Sequence, residues 1–286
     1  MRSVRQRAAY LAVLTGVTIL SRLPEPVVRR LGRLAGHIWY LVDPPRRRMA
    51  RRHMRRLGAR PRDAREVFAS YGRYWAESLW VRRRHFPGIR ARLTVDGLEH
   101  LRRAHEAGEG VVVVLAHVGN WEAAALIAID LQMPLVAVAE SLANPHITQW
   151  FTRQRQMFNI EIVLTGEGRV RKRLVAALEE GKAIALLADR DLSGRGVKVE
   201  FFGETTTIPA GPVSLARRSG APILTVGVYF KPGGGHHAII HPPLPARPDD
   251  DPSVVSQEIA RRLEEIIRHD PSQWHLVQPN WPSDRS

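Results

Sequence analysis

The chain has 286 residues, 44% hydrophobic and 25% charged, long enough for a sizeable core in one large or two modest domains. It contains no cysteine, which excludes disulfides, a thiolate nucleophile and Cys-ligated metal, and leaves the redox compartment unread. The formal net charge is +15, and residues 1–100 hold 23 Arg and no Lys against 7 Asp or Glu. The basic excess therefore lies in the first third and suits a polyanion, either nucleic acid or an anionic membrane surface.

Residues 8–20 carry no charge, a run shorter than the roughly 18–20 residues that cross a bilayer. Arg2, Arg5 and Arg7 precede it and Arg22 follows, so residues 4–21 read as a retained interfacial helix. A signal peptide also has a basic region and an apolar one, but Ser21-Arg22-Leu23-Pro24 offers no small-x-small cleavage site. Val27, Leu31, Leu34, Ile38 and Leu41, spaced by three and four, predict a helix over 26–42. Trp39 and Tyr40 near its end suit either a core or a membrane interface, and Asp43-Pro44-Pro45 stops it. Residues 46–56 are dense in Arg, a solvated helix face or a phosphate-binding surface. A further helix is expected over 64–83, with Phe68, Tyr71, Trp75 and Leu79.

After Pro87-Gly88 the pattern changes. A short strand is expected at 92–96 and a helix at 97–107. Apolar, β-favouring runs follow at 111–116, 135–139, 183–188, 221–229 and 238–241, with helical segments at 121–132, 145–158 and 168–180. This alternation predicts an α/β fold with a largely parallel central sheet flanked by helices. The Arg-rich residues 1–90 form a helical cap that associates with a membrane, packed on an α/β body over 91–286.

In open parallel sheets, ligands bind beyond the carboxyl ends of the strands. There the apolar runs deliver His117, Glu140 and Asp189-Arg190-Asp191. Asn120 is a candidate N-cap of the next helix, with Glu122 in its first turn. No Gly-x-Ser-x-Gly elbow or P-loop is present, and His236-His237 lacks a third metal ligand. His117 is left as a general base that activates a substrate hydroxyl, with a carboxylate fixing its tautomer; a buried structural histidine is the alternative. Direct acyl transfer from a thioester to that hydroxyl fits.

His117-Val-Gly-Asn-Trp-Glu122 is similar to the His-x4-Asp/Glu motif of glycerolipid acyltransferases, and its His-x-Gly-Asn-Trp form resembles the branch of lipid A late acyltransferases and phosphatidylinositol mannoside acyltransferases. Ala188-Asp-Arg-Asp-Leu192, Val199-Glu-Phe-Phe-Gly-Glu204, Ile208-Pro-Ala-Gly-Pro212 and Leu215-Ala-Arg-Arg-Ser-Gly-Ala-Pro222 resemble the same branch. Asp-Arg-Asp-Leu and the tail Gln273-Trp-His-Leu-Val-Gln-Pro-Asn-Trp281 look more like the mannoside enzymes. The resemblance spans residues 5–282.

It implies His117 as catalytic base and Glu122 as motif acid, a Glu where many members carry Asp. It places Glu140 and Arg155, in Ala-Glu-Ser-Leu and Thr-Arg-Gln-Arg, among the substrate-binding groups. Asp191 and Glu200 are the carboxylates expected to orient His117, with Asp189 a structural cap or ion-pair residue. Arg190 serves an acceptor phosphate or a salt bridge. Backbone N–H groups of the 118–120 turn are the expected oxyanion donors. The implied reaction needs no metal or resident cofactor: acyl-CoA is a co-substrate, and a phosphatidylinositol mannoside, another glycolipid such as a lipid A precursor, or a lysophospholipid accepts the acyl group. The expected place is the cytoplasmic face of the cell membrane, peripheral or monotopic, on anionic lipids. The remaining alternative is an Arg-rich nucleic-acid-binding protein, but residues 46–65 carry no Phe, Trp or Tyr to stack on bases.

Overall fold

The computed structural model describes residues 2–140, 143–166 and 168–285, the side chains of 2–5, 8, 9 and 12 excepted. The first third is helical: α1 (Arg2–Leu20), α2 (Glu25–Val42), α3 (Pro44–Arg56), α4 (Ala64–Trp80) and the short α5 (Phe86–Arg90). The body follows as β1 (Leu93–Asp96), α6 (Leu98–Glu106), β2 (Val111–Gly119), α7 (Ala124–Asp130), β3 (Leu135–Ala139), α8 (Pro145–Gln156), β4 (Ile160–Leu164) and α9 (Val170–Glu179). It continues through β5 (Ala183–Leu187), β6 (Val197–Phe201), β7 (Glu204–Ile208), α10 (Gly211–Ser219), β8 (Ile223–Phe230), β9 (His236–Ile240) and α11 (Pro252–His269).

Seven strands form one sheet in the order β1-β9-β8-β2-β5-β3-β4. The run β8, β2, β5, β3, β4 is parallel, while β9 turns back antiparallel to β8 and carries β1 parallel to itself. The unbroken valine run of β2 explains its central place: a strand covered on both faces needs no polar alternation, and every β2 residue except His117 is buried. Strands β2 and β5 pair Val111 with Ala183 through Leu115 with Leu187.

Helices α2 to α4 share a core with the sheet, where Tyr40, Met54 and Phe68 join Val112 and Val114. Helix α2 lies against α4 through glycine: a Cβ on Gly36 would overlap Phe68 O, and one on Gly72 would overlap Gly32 O. The apolar set that predicted α2 is not this buried face. Val27, Leu31, Leu34, Ile38 and Leu41 are all exposed, whereas Val28, Gly32, Gly36 and Tyr40 are buried. Among the described residues no helix is long and apolar enough to cross a membrane.

The segment expected as a helix over 121–132 opens as a 3-10 turn, Trp121–Ala123, before α7. Asn120 does not cap it. Its amide is drawn into the protein and donates to Glu77 Oε2 at 2.9 Å. After α11 the chain runs back under the sheet, where Trp274 makes an antiparallel bridge with Val118 and Trp274 and Trp281 are fully buried.

Candidate active site

His117 stands near the end of β2, where the strand bulges away from β8 between Leu115 and Gly119. Gly119 has φ +55°, and a Cβ there would overlap Val228 O. Only glycine accepts both demands, which accounts for the glycine two residues after the histidine. The register of β2 and β5, continued two residues, sets His117 beside Asp189.

Asp189 Oδ1 lies 2.7 Å from His117 Nδ1, and Oδ2 accepts the His117 backbone N–H at 3.2 Å. The Asp189 side chain is fully buried, while that of His117 is 31% exposed. Burial alone would push the Asp189 carboxyl up. The imidazole of His117, and donors from His117 and from Trp274 Nε1 at 2.7 Å, outweigh this and hold it below its ordinary value. An ionised Asp189 requires a proton on Nδ1, so Nε2 is the nitrogen left to accept one.

His117 lines a cavity of about 930 Å³, within the range of small-molecule sites. The polar part of its wall holds His117, Glu122, Glu140, Arg155, Arg190 and Asp191, with Tyr71, Tyr74 and Trp75 of α4. Its apolar part lies against the sheet and α7: Val113 and Leu115 of β2, Leu187 of β5, Leu135 of β3, Ile162 of β4, and Ile127. Val113, Leu115 and His117 share one strand face because side chains alternate, so the face that carries the base continues as the apolar wall.

Glu122 lies in this cavity without touching His117. Its Oε1 accepts Arg155 Nη2 at 2.7 Å, Arg155 Nε at 3.1 Å and the Tyr74 hydroxyl at 3.4 Å. Burial works against the Arg155 charge, yet Glu122 more than compensates and its pKa is raised. Trp121 stacks on Tyr74, ring centroids 4.0 Å apart, and meets the His117 ring edge-on at 5.2 Å.

The structure corrects the expected partner of His117. Asp191 is tied into its own loop: it accepts from Ser193 N and Oγ at 2.9 and 2.7 Å, Gly196 N at 2.7 Å and Thr207 Oγ1 at 2.9 Å. Glu200 is exposed on β6, where its backbone pairs with the Gln257 side chain, and it does not line the cavity. Asp189, expected as a cap or ion-pair residue, is the carboxylate that meets the ring. Asn120 lies below the site, its amide on Glu77 and its backbone N–H given to Val228 O at 3.0 Å. That N–H is therefore not a free oxyanion donor. Arg190 lines the cavity and has no hydrogen-bond or ion-pair partner among the described residues. Glu140 is exposed at the rim, and Ser141-Leu142 of its motif lie outside the described residues. The adjacent histidines face apart: His236 Nε2 lies 2.9 Å from Glu77, while His237 meets Thr94 and Asp96.

Two parts of the site were not read from the sequence. One is the tail, whose Trp274 reaches Asp189. The other is the contact of Glu122 with Arg155 and Tyr74, which joins three distant segments and adds Tyr74 to the expected residues.

A family model described as bacterial lipid A biosynthesis acyltransferase matches residues 2–283. The chain is 35% identical over 224 residues to a phosphatidylinositol mannoside acyltransferase of Mycolicibacterium smegmatis, covering 78% of this chain and 73% of that one. A Mycobacterium tuberculosis protein of the same name is 34% identical over 221 residues, 76% and 69% of the two chains. A lipid A biosynthesis palmitoleoyltransferase of Escherichia coli is 28% identical over 190 residues, 63% and 60%.

Proposed function

The chain belongs to the bacterial lipid A biosynthesis acyltransferase family, and from that premise we propose that this acyltransferase moves a fatty acyl group from acyl-CoA to a hydroxyl of a phosphatidylinositol mannoside, with His117 as general base. The single observation that carries the reading is the 2.7 Å contact of His117 Nδ1 with Asp189 at the polar end of a largely apolar cavity. The greater similarity to the two mannoside enzymes than to the lipid A enzyme favours the acceptor named.

The acceptor hydroxyl lies against His117 Nε2. As its oxygen attacks the thioester carbonyl, the proton passes to Nε2, and Asp189 stabilises the imidazolium. Collapse of the tetrahedral intermediate breaks the C–S bond, and the departing thiolate takes the proton back from Nε2. The acyl chain lies along the apolar wall. Arg190, without a partner among the described residues, offers its charge to the oxyanion or to a substrate phosphate. Glu122 and Arg155 hold each other and the wall between β2 and α8. Glu140 at the rim and Asp191 near Arg190 border the acceptor.

The protein is peripheral or monotopic at the cytoplasmic face of the cell membrane. The exposed stripe of α2 enters the interface, and the Arg-rich first third meets anionic lipid. The test is purified protein with labelled palmitoyl-CoA and a panel of phosphatidylinositol mannosides, lysophospholipids and lipid A precursor, with products identified by mass. Acylated mannoside as the dominant product supports the reading; acylation confined to another acceptor replaces it.

A further inference from the structure

Residues beyond α11 have no place in the reaction written above, yet they grip both members of the His117–Asp189 pair. Trp274 Nε1 donates to Asp189 Oδ2 at 2.7 Å, the His275 N–H donates to His117 O at 2.8 Å, and Asn280 Nδ2 donates to Asp189 O at 3.2 Å. The segment is itself anchored. Gln273 bonds both the N–H and the carbonyl of Phe230, at 2.7 and 3.1 Å, and Trp281 Nε1 donates to Phe201 O at 3.0 Å. Trp274 is fully buried and does not line the cavity, so it is positioned to act on Asp189 and not on substrate.

We propose that Trp274 is a positioning residue for the acyl transfer: its indole N–H fixes the Asp189 carboxylate and limits how strongly that carboxylate holds the Nδ1 proton of His117. The inference rests on His117 being the base. A carboxylate sharing its charge with a second donor is a weaker acceptor. Removing the indole N–H leaves Oδ2, among the described residues, with only the 3.2 Å backbone donor, which strengthens the pull on Nδ1–H and favours the imidazolium. A base must be neutral to act, so the acidic limb of the rate profile then moves to higher pH. The other titratable groups around the pair and its tryptophan are His275 of the tail, Arg190 and Asp191 after β5, the Glu122–Arg155 pair beyond Trp121, Tyr71 and Tyr74 of α4, and His53 of α3, whose ring lies 5.6 Å from that of Trp274 and whose Nε2 meets Asp284. None of them bonds Trp274, and a change at its nitrogen leaves their hydrogen bonds in place. Burial, with His117 close by, holds the His275 imidazole well below its ordinary value and hence neutral.

The experiment measures kcat and KM from about pH 5 to 9 for wild type, Trp274→Phe, and a protein with 3-benzothienylalanine at 274. The last keeps the shape of the ring and deletes only the N–H, so it remains informative if the Phe variant folds poorly. We expect kcat to fall about 10- to 100-fold, the scale of one lost hydrogen bond to a charged group, with KM unchanged and the acidic limb moved up by about half a unit or more. An unchanged kcat per folded molecule with an unmoved limb, whatever the change in Tm, would overturn the proposal. His117→Ala is assayed beside them. An inactive His117→Ala with silent 274 variants refutes the role of Trp274 alone, whereas transfer surviving in His117→Ala refutes the base assignment beneath it.

Discussion

Arg155 reaches Glu122 Oε1 with two N–H groups, at 2.7 and 3.1 Å, and this pair ties α8 to the turn that follows His117. The acid of the His-x4-Glu motif is thus engaged by an arginine 33 residues away, not by the histidine of its own motif. The pair is partly buried, with side-chain exposures of 24% and 14%, so removing one partner strands the other. Arg155→Ala is expected to lower stability by about 2–3 kcal/mol, somewhat less than breaking a fully buried pair. Transfer should fall more than tenfold, on the order of one lost charged hydrogen bond. Chemical denaturation and steady-state rates check both, and a double-mutant cycle with Glu122→Gln should show strong coupling.

Below the site, buried Glu77 accepts from Arg73 Nε at 2.7 Å and Asn120 Nδ2 at 2.9 Å and meets His236 Nε2 at 2.9 Å. Burial pushes its carboxyl up, but His236 and Arg73 outweigh this and bring it to about 2. A carboxyl lowered on folding contributes stability that is complete above its unfolded pKa and is lost as pH falls through the folded one. The urea midpoint should therefore decline between about pH 4.5 and 2. Glu77→Gln should start lower at neutral pH and show a flatter decline across this window; an identical slope would remove Glu77 from the acid response.

Gly36 faces Phe68 O with no room for a Cβ. Gly36→Ala should force α2 off α4 and lower stability by about 2 kcal/mol or more, as overpacking does. Thermal unfolding measures it, and an unchanged Tm would show that the helices can part at no cost.

The exposed stripe of α2 gives the membrane reading its own test. Leu34 and Ile38 are 55% and 52% exposed, so Leu34→Glu with Ile38→Glu should leave Tm within about 1 °C, as surface changes do. Co-sedimentation with anionic vesicles should drop severalfold. Equal binding of wild type and variant would place membrane contact elsewhere.

The α/β alternation was legible because β2, β3 and β5 are continuous apolar runs, and their observed starts at Val111, Leu135 and Ala183 coincide with the starts of those runs. Hairpin strands β6 and β7 escaped notice. They mix Lys, Glu and Thr with apolar residues and pair only with each other. Strand β4 is short and closely follows α8, and its five residues lie just past the helical segment expected over 145–158 and outside every expected strand. Helices α10 and α11 also went unread, amphipathic segments that lie between β7 and β8 and after β9. At the site, the histidine and the strand-end clustering were readable, but its partner was not. Aligning the two runs at Val111 and Ala183 would have set His117 level with Asp189, because parallel strands in register bring equal offsets together. The α2 stripe was readable as a helix face, but periodicity does not say whether such a face meets core or solvent. The reach of Trp274 depends on a return of the chain after α11 that no local pattern announces.

The central claim is that His117, held by Asp189, takes the acceptor proton. The measurement that bears on it most directly is transfer from labelled acyl-CoA to phosphatidylinositol mannoside by His117→Ala, with circular dichroism and Tm taken on the same sample. The variant is expected to stay folded while its transfer falls by at least about 100-fold, the scale of losing general-base catalysis. A folded variant turning over at near wild-type rate would contradict it.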